Sequence, residues 1–398
     1  MIKILHIADV HFGNNFLNKN EELSNLLILG IEKSFKKAVD FSINNNIDLL
    51  IIAGDLFDSK DIAYRIKQFV LSEFERLEKH KINIAYALGN HDCVLYQDDY
   101  FIKNLPSNVI VFDSEKVKKV TLNSIDNTPY EIIGIGHSKE IVKENLIRNF
   151  PVKHNDIVTI GIAHCNVYSA NGIGKEEKYL PTSFKDLEIK NYDYWALGHM
   201  HKRDKLSERI IYSGSLQGLS IKEIGSKGGT FITIGENNFE ENAIEFAEII
   251  WREEKITVDE SINSIDSLRN FVSEYFINLD IKSNEIIRLI VDGECKLKRN
   301  LISKEDILFL ENYFKDKYNL KNIEMIIGIS YKYNLEKYKI EKNFLGYFLN
   351  NFKSDDIENL VKSEELYCFD NDIKTNTVEF EKKVNTIKNK IIDTIIKY

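Results

Sequence analysis

Short segments that are apolar at successive positions constrain the fold of this chain more than any other feature of its sequence. Between the first three of these segments lie two longer stretches, Leu23–Asn45 and Asp61–Lys79, whose apolar residues have the spacing of a helix. Strands that are apolar on both faces and alternate with helices are typical of a layered α/β domain whose sheet is covered on both sides. After residue 105 the spacing is that of hairpins, with a turn at 123–127, so the second half of the sheet is expected to be partly antiparallel. The predicted strands are Ile2–Ala8, Asp48–Ala53, Ile82–Leu88, Val109–Phe112, Tyr130–Gly136, Ile157–Ala163, Tyr192–Leu197, Ile210–Tyr212, Thr230–Ile234 and Ala243–Ile250.

The pattern changes after Trp251 and again in the tail. A linker and a polar strand over 252–265 lead into a smaller alternation of helices and strands, which predicts a second α/β unit. The tail is predicted to be helical, because it carries two apolar stripes at spacings of three and four residues. The helices of the second unit are expected at 267–276 and 304–318, and its strands at 286–292 and 323–331. The tail stripes are Phe344, Leu345, Phe348, Leu349 and Phe352, and Phe380, Val384, Ile387, Ile391 and Ile395.

The length and composition of the chain exclude several classes of protein. With 398 residues it is too long for one hydrophobic core, so at least two domains are expected. Its net charge is −9 and no segment is basic, which argues against a basic nucleic-acid coat protein. Four cysteines without a Cys-x-x-Cys spacing indicate neither a thiolate zinc site nor a disulfide framework. No apolar run is long enough for a signal peptide or a membrane span, so a cytoplasmic protein is expected.

Five of the predicted strands end in side chains that can bind a metal ion. Two residues apart on an extended backbone, the side chains of Asp9 and His11 point to the same side of the strand. Because the carboxyl ends of the strands in an open α/β sheet meet at one edge, all of these side chains are expected to lie together. They are too many for one ion and fit two, in mixed nitrogen and oxygen coordination that suits Mn²⁺, Fe or Zn²⁺, with Asp55 as the bridge. The candidate ligands are Asp9, His11, Asp55, Asn90, His164, His199 and His201.

Each of these motifs alone has an ordinary explanation. A histidine at the end of a strand is most often a core or surface residue, and we interpret His6, His80, His137 and His154 in that way. What favours a metal centre is the recurrence of ligand-type residues at five strand ends.

These motifs, in this order, resemble those of the calcineurin-like metallophosphoesterases and, among them, the SbcD/YhaO-type DNA-repair exonucleases. Beyond the ligands, the resemblance includes the segments 194–203 and 212–218, and it covers about residues 1–235. It implies a four-layer α/β/β/α nuclease domain over 1–250 and an α/β capping domain over 251–335, which is a candidate for DNA binding. The helical tail, 336–398, would dock the coiled-coil base of an SMC-like ATPase of the SbcC/YhaN type, or pack on its own domain. The motifs are Asp9-x-His11, Gly54-Asp55-x-x-Asp58, Gly89-Asn90-His91-Asp92, His164 and Gly198-His199-x-His201.

The resemblance also implies which residue holds which ion. Two Mn²⁺ ions are expected, with Fe, Zn²⁺ or Mg²⁺ as alternatives, and they would clamp a phosphodiester and activate the attacking water. The first ion would be bound by Asp9, His11, Asp55 and His201, and the second by Asp55, Asn90, His164 and His199.

Three further residues of the same motifs have open roles. His91 is predicted to protonate the leaving 3′-oxygen or to orient the phosphate, unless it only hydrogen-bonds a carboxylate such as Asp58. Some nucleases of the resembled family carry a second histidine at the position of Asp58, so Asp58 is expected to orient a neighbour instead. Asp92 is either a support for the metal ligands or, as is more common, a helix cap.

Two small basic clusters could contact DNA, although charged runs usually face solvent. One is Lys202, Arg203 and Lys205, and the other is 296–299 in the second unit.

The resemblance therefore implies a metal-dependent DNA exonuclease or endonuclease in DNA repair, which would form a homodimer and work with the ATPase. The first alternative is a phosphatase or cyclic-nucleotide phosphodiesterase of the same superfamily, which the acidic charge favours. A scaffold without catalysis is disfavoured, because every ligand position and His91 are filled. Metal-free DNA binding by the chain is expected to be weak, since its charge is negative away from the metals.

Overall fold

The computed structural model describes residues 1–16, 19–59, 62–93, 99–168, 178–236 and 238–332, together with residues 339, 340, 346, 347 and 350. The chain divides into two compact units, Met1–Arg252 with Asn284–Ile286, and Glu253–Ser283 with Ile287–Tyr398. The tail stripes lie outside the described residues, and the division into three domains stays a prediction. Among the described helices, none has the length and hydrophobicity to cross a membrane.

The first unit is a mixed α/β domain, as predicted from the alternation of apolar runs. Within the described residues its helices are α1 (Glu21–Asn44), α2 (Tyr64–Lys79), α3 (Asp99–Lys103) and α4 (Phe184–Glu188). Its strands are β1 (Ile2–Ile7), β2 (Leu49–Ala53), β3 (Asn83–Ala87), β4 (Val109–Phe112), β5 (Lys118–Asn123), β6 (Pro129–Gly134), β7 (Val158–His164), β8 (Asn166–Tyr168), β9 (Pro181–Ser183), β10 (Tyr194–Gly198), β11 (Asp204–Lys205), β12 (Ile210–Tyr212), β13 (Gly228–Ile234) and β14 (Phe239–Glu245).

Most of these strands form two sheets, with the orders β14-β13-β1-β2-β3-β4 and β11-β12-β10-β7-β6-β5. The strands from β1 to β4 are parallel, and so are β12, β10, β7 and β6. The antiparallel pair β5 and β6, with Asn123 opposite Pro129, confirms the hairpin predicted around residues 123–127. Since α1 and α2 each return the chain to the start of the next parallel strand, the carboxyl ends of β1, β2 and β3 lie at one edge.

Burial on both faces explains why these strands are apolar throughout. Between the two sheets, side chains such as Ile4 and Ile51 of the first pack with Ile132 and Ile160 of the second. On its outer face the first sheet is covered by α1 and α2, and the second by α4 and its connecting loops. At the start of α1, the Asn20 side chain accepts a hydrogen bond from the Leu23 N–H at 2.8 Å and so caps the helix.

The second unit has its own sheet and core. A three-stranded sheet of β15 (Ile250–Val258), β16 (Glu285–Cys295) and β17 (Asn322–Tyr331) packs with α5 (Ile265–Ile277) and α6 (Lys304–Tyr318). These bounds agree closely with the helices and strands expected after residue 266.

One sequence prediction at the start of this unit is wrong. The sequence predicts a strand over Ala243–Ile250, but β14 ends at Glu245. The polar strand that is predicted within 252–265 is present as β15, which already begins at Ile250. The intervening Phe246 and Ile249 are buried in the core of the first unit without belonging to a strand. Their hydrophobicity therefore reflects burial of a turn, which an apolar run alone does not distinguish from a strand.

Candidate metal centre

The candidate ligands lie just beyond the ends of β1, β2, β3, β7 and β10. Asp9 and His11 follow β1, Asp55 follows β2, and Asn90 follows β3, all in the first sheet. The second sheet contributes His164, the last residue of β7, and the two histidines that follow β10, His199 and His201. All seven candidate ligands are among the described residues, and the first five named here are buried.

The backbone is strained where it presents these side chains. Asp9, His11 and Asp55 have φ angles of 50°, 55° and 50°, and His199 has a φ of 103°. Residues other than glycine rarely occupy this left-handed region, and those that do cluster at functional sites.

Two glycines let the strand ends approach one another. A Cβ on Gly54, whose φ is 93°, would lie 2.2 Å from Nδ1 of His164. A Cβ on Gly89 would lie 2.1 Å from Oδ1 of Asp55. Because no side chain fits at either position, the loops after β2 and β3 can close against the ligands.

The first group of ligands is built around a pair of imidazoles. Nε2 of His11 lies 3.1 Å from Nε2 of His201, and both belong to a cluster of possible ligand atoms with Asp9. Two nitrogen ligands of one ion are separated by about 3 Å when each bond is roughly 2.1 Å long and the bonds are near a right angle. The ring nitrogens on the far side face carboxylates, Asp58 at 2.9 Å from His11 Nδ1 and Glu223 at 3.2 Å from His201 Nδ1. Each carboxylate accepts the Nδ1 proton, so Nε2 is left with a lone pair for a metal.

The second group of ligands is connected to the first through the carboxylates of Asp55 and Asp9. Nε2 of His164 lies 3.2 Å from Oδ2 of Asp55 and 3.1 Å from Oδ1 of Asn90. The same Asp55 oxygen is 3.9 Å from Nε2 of His11, so this carboxylate lies between the two groups. Asp9 also belongs to both, since its oxygens cluster with Asp55 and His164 as well as with His11.

His199 is placed differently from the other six. Its backbone N–H donates to both oxygens of Asp9 at 3.2 Å, and its ring packs edge-on to His164 with centroids 5.3 Å apart. The clusters of possible ligand atoms found among the described residues do not include it. Its side chain would therefore have to turn to join the second group. Tyr179, whose ring centroid is 5.2 Å from that of His199, was not singled out from the sequence.

The electrostatics of the buried groups fit sites prepared for cations. Burial alone would lower the pKa of His164, but Asp55, Asp9 and the Ala53 carbonyl together raise it to about 9. Burial would raise the pKa of Asp55, but His164 and His11 hold it well below its ordinary value. The pKa of His199 is lowered to about 3 by burial and by His164. Strong opposite shifts within one small cluster are typical of functional sites.

His91 lies at the rim and is exposed. Its Nδ1 donates to the backbone carbonyl oxygen of Asp58 at 2.9 Å, and its own N–H donates to Oδ1 of Asp55 at the same distance. Its ring packs edge-on to His11 with centroids 5.0 Å apart. Because a carbonyl only accepts, Nδ1 carries the proton and Nε2 is left to interact with a substrate.

Among the described residues, the partners of Asp92 fit a support for the metal ligands, which is one of its two predicted roles. Its side chain is fully buried and accepts from the Leu56 N–H at 2.8 Å and from the Tyr86 hydroxyl at 2.6 Å, and also from the Gly89 N–H. Burial, followed by the nearby Asp55 carboxylate, raises its pKa to about 6. Asp92 therefore ties the loop after β3 to the loop after β2, which carry ligands on either side.

The other predicted residues have structural partners. Arg203 and Lys205 are both paired with Glu241, and Arg299 donates to the carbonyl oxygens of Ile302 and Ile327. Of the histidines interpreted as ordinary, His6 and His137 are buried and hydrogen-bonded at one ring nitrogen, to Tyr194 and to the His164 carbonyl; His80 and His154 are exposed.

The donor set fits two hard or borderline divalent cations. It consists of imidazole nitrogens, carboxylates and one amide oxygen; the nearby thiols of Cys93 and Cys165 hydrogen-bond or lie buried outside the clusters. That composition matches Mn²⁺, Fe or Zn²⁺ in mixed coordination and excludes a thiolate zinc site.

Comparison with known proteins gives concordant matches. The family model described as calcineurin-like phosphoesterase matches residues 2–203, the stretch that contains all seven candidate ligands. A metallophosphoesterase of Bacillus subtilis named YhaO is 25% identical over 299 residues, which cover 73% of this chain and 72% of that protein. The DNA double-strand break repair protein Mre11 of Saccharolobus solfataricus is 25% identical over 401 residues, 91% of this chain and 98% of that protein. The protein of the same name from Sulfolobus acidocaldarius is 23% identical over 342 residues, 81% and 84% of the two chains.

Proposed function

The chain belongs to the calcineurin-like phosphoesterase family, and on that premise we propose that it is a metal-dependent DNA nuclease that hydrolyses phosphodiester bonds. The observation that carries the proposal is the pair of ligand clusters that share Asp9 and meet at Asp55, with the exposed His91 at their rim. Relatives named as double-strand break repair proteins match most of the chain, which supports DNA as the substrate.

The cations are proposed to divide between the two groups of ligands. Bound there, two divalent ions, Mn²⁺ in this proposal, would supply Lewis-acid polarisation of the phosphodiester and of the attacking water. The protein contributes the positions of their ligands, because hydrogen bonds at Nδ1 orient the rings of His11, His164 and His201 before any ion arrives. The first position would use Asp9, His11, Asp55 and His201, and the second Asp55, Asn90, His164 and His199.

His91 is proposed to act on the leaving group. Its Nδ1 is committed to the Asp58 carbonyl oxygen, so a proton on Nε2 can be passed to the 3′-oxygen as the bond to phosphorus breaks. The backbone N–H of His91 meanwhile donates to Asp55, which ties the position of the ring to a ligand. The loop after β3 therefore positions both the proposed proton donor, His91, and the candidate metal ligand Asn90.

A groove beside Asp58 supports an extended substrate. It is an open cavity of about 440 Å³, to which Asn14, Asn15, Lys19 and Ser220 contribute polar groups. Amide, hydroxyl and ammonium donors of this kind bind phosphate and sugar without reading sequence. A chain of nucleotides that enters the metal centre would have donors for its neighbouring phosphates there.

The acidic charge of the chain bears on how DNA is held. The net charge of the chain is −9, and Arg203 and Lys205 share the carboxylate of Glu241, which offsets part of their positive charge. Phosphate contacts away from the metals are therefore expected to be weak. We therefore propose that long DNA is retained with help from other subunits: a second copy of the chain and an SMC-like coiled-coil ATPase.

The test is hydrolysis by the purified full chain. With Mn²⁺ it should degrade linear DNA, and activity should disappear when a chelator is added. Asp55→Asn, which removes the carboxylate between the two groups, is the matched inactive control. Hydrolysis of simple phosphomonoesters or cyclic nucleotides, with DNA untouched, would refute the DNA assignment.

That outcome would establish the alternative, a phosphatase or cyclic-nucleotide phosphodiesterase. The pairing of Arg203 and Lys205 with Glu241 favours it, since a small substrate needs no basic surface. The groove at Asn14 and Lys19 favours the nuclease.

A further inference from the structure

Two of the imidazoles proposed as ligands are backed by carboxylates. Asp58 accepts from Nδ1 of His11 at 2.9 Å, and Glu223 accepts from Nδ1 of His201 at 3.2 Å. The sequence predicts that Asp58 orients a neighbour, but nothing in it predicts the role of Glu223, which comes from a short 3-10 turn more than twenty residues after His201. Glu223 is itself fixed, because its second oxygen accepts from the Ser215 hydroxyl at 2.7 Å. The side chains of Asp58 and Glu223 are only 27% and 12% exposed, so solvent screens them weakly.

The second position has weaker support within the part of the chain that the structure describes. Nδ1 of His164 donates to the carbonyl oxygen of Ala53 at 2.9 Å, and a carbonyl is a neutral acceptor. Asn90 offers an amide oxygen where a carboxylate would add a charge. Asp92, two residues farther on, turns its oxygens to backbone donors such as the Leu56 N–H.

The difference matters for cation binding. A carboxylate hydrogen-bonded to a ligand imidazole raises the basicity of that ligand, and removing such a partner typically costs 10- to 100-fold in metal affinity. Asp9 and Asp55 lie close to ligands of both positions. The first position has in addition a carboxylate behind each of its two imidazoles, whereas His164 of the second is backed only by a neutral carbonyl.

We infer that the two cation positions are unequal, with Asp58 and Glu223 as the positioning residues that make the first one tight. The first position fills at low free metal concentration, and the second, at Asn90 and His164, is exchangeable. Resting on the proposed two-metal function, this makes hydrolysis follow occupancy of the weaker position, so that free divalent metal regulates the enzyme.

The experiment is a Mn²⁺ titration of the metal-stripped full chain, with free Mn²⁺ read by electron paramagnetic resonance. Two binding steps separated by about tenfold or more are expected. Asp58→Asn and Glu223→Gln should each weaken the tight step about 10- to 100-fold and leave the weak step in place. Asn90→Asp, which adds a charge at the second position, should tighten the weak step instead.

The matched control is Glu241→Gln. It removes an acid of the same unit that pairs with Arg203 and Lys205 and contacts no ligand imidazole, so both steps should be unchanged. Two equal steps in the unmodified chain, fewer than two bound ions, or equal weakening of both steps in the Asp58 and Glu223 variants would overturn the inference. If circular dichroism shows that a variant does not fold, the titration of the unmodified chain decides.

Failure of the proposed function has a different signature. Unequal steps in a chain that never cleaves DNA would refute the nuclease and leave the inference standing. DNA cleavage by a chain with two equal binding steps would support the nuclease and refute the inference of unequal positions.

Discussion

The imidazole of His91 is held by the backbone of Asp58: its Nδ1 lies 2.9 Å from the carbonyl oxygen of that residue. The carboxylate of Asp58 faces the other way and bonds His11 at 2.9 Å. One residue therefore orients both a candidate metal ligand and the candidate proton donor, through two different groups. The hydrogen bond that holds His91 is made by the backbone, so it is kept when the side chain of Asp58 is replaced.

Replacement of His91 should separate proton transfer from metal binding. His91→Ala removes the ring but keeps the backbone N–H that donates to Asp55, so the ligands should stay in place. DNA hydrolysis is expected to fall by roughly 10²- to 10⁴-fold, the usual contribution of a general acid or base. The measurement is the rate at saturating Mn²⁺ together with metal content by mass spectrometry.

Loss of bound metal in the His91 variant would show that this division of roles is wrong. Asp58→Asn is the informative companion, since it keeps the carbonyl that holds His91 and changes only the partner of His11. It should weaken metal binding more than it slows a fully loaded enzyme.

Replacement of Asp92 should lower the stability of the fold. At pH 7 Asp92 is mostly ionised, and its two oxygens accept from Leu56, Tyr86 and Gly89. In Asp92→Asn an amide NH₂ would face one of these donors, which leaves a buried N–H or O–H without an acceptor. The free energy of unfolding should fall by about 1–3 kcal/mol, measured by urea denaturation.

An unchanged midpoint of urea denaturation for Asp92→Asn would mean that the hydrogen bonds of Asp92 contribute nothing to the stability of the fold. Asp126→Asn, in the exposed turn between β5 and β6, is the control for the same substitution at the surface and should be neutral within about 0.5 kcal/mol.

The sequence predicted what depends on local pattern and missed what depends on distant contacts. The strand ends could be located because buried strands are apolar and two of them stop at Gly54 and Gly89. That the ligands at these ends meet at one edge of the sheet follows because the strands are parallel. Glu223 could not be found, since nothing in its neighbourhood signals that a turn after β12 reaches His201. The partners of Asp92 could not be predicted for the same reason, because Leu56 and Tyr86 precede it on other segments.

The close approach at Gly54 can be tested by adding one methyl group. Gly54→Ala places a Cβ 2.2 Å from His164 Nδ1 on a backbone with φ of 93°, so both strain and a clash result. Gly225→Ala is the matched control, because its φ is 87° but no atom lies within 4 Å of the added Cβ. The control should lose about 1–2 kcal/mol from the backbone alone. Gly54→Ala should lose more and also lose bound metal, as measured by thermal denaturation and metal analysis; equal losses in the two variants would contradict the close packing.

Metal binding should release protons in a pattern set by two neighbouring histidines. Burial lowers the pKa of His164, but Asp55, Asp9 and the Ala53 carbonyl together raise it to about 9. At pH 7 the metal-free His164 is therefore charged and must lose a proton to become a ligand. His199, whose pKa is lowered to about 3 by burial and by His164, is already neutral and releases none. Metal affinity should therefore rise with pH up to about 9. Calorimetric titration at pH 7 in two buffers of different ionisation enthalpy measures the released protons. His164→Gln should reduce their number by about one, whereas His199→Gln should leave it unchanged; identical heats in the two buffers for the unmodified chain would show that His164 is not charged before the metal binds.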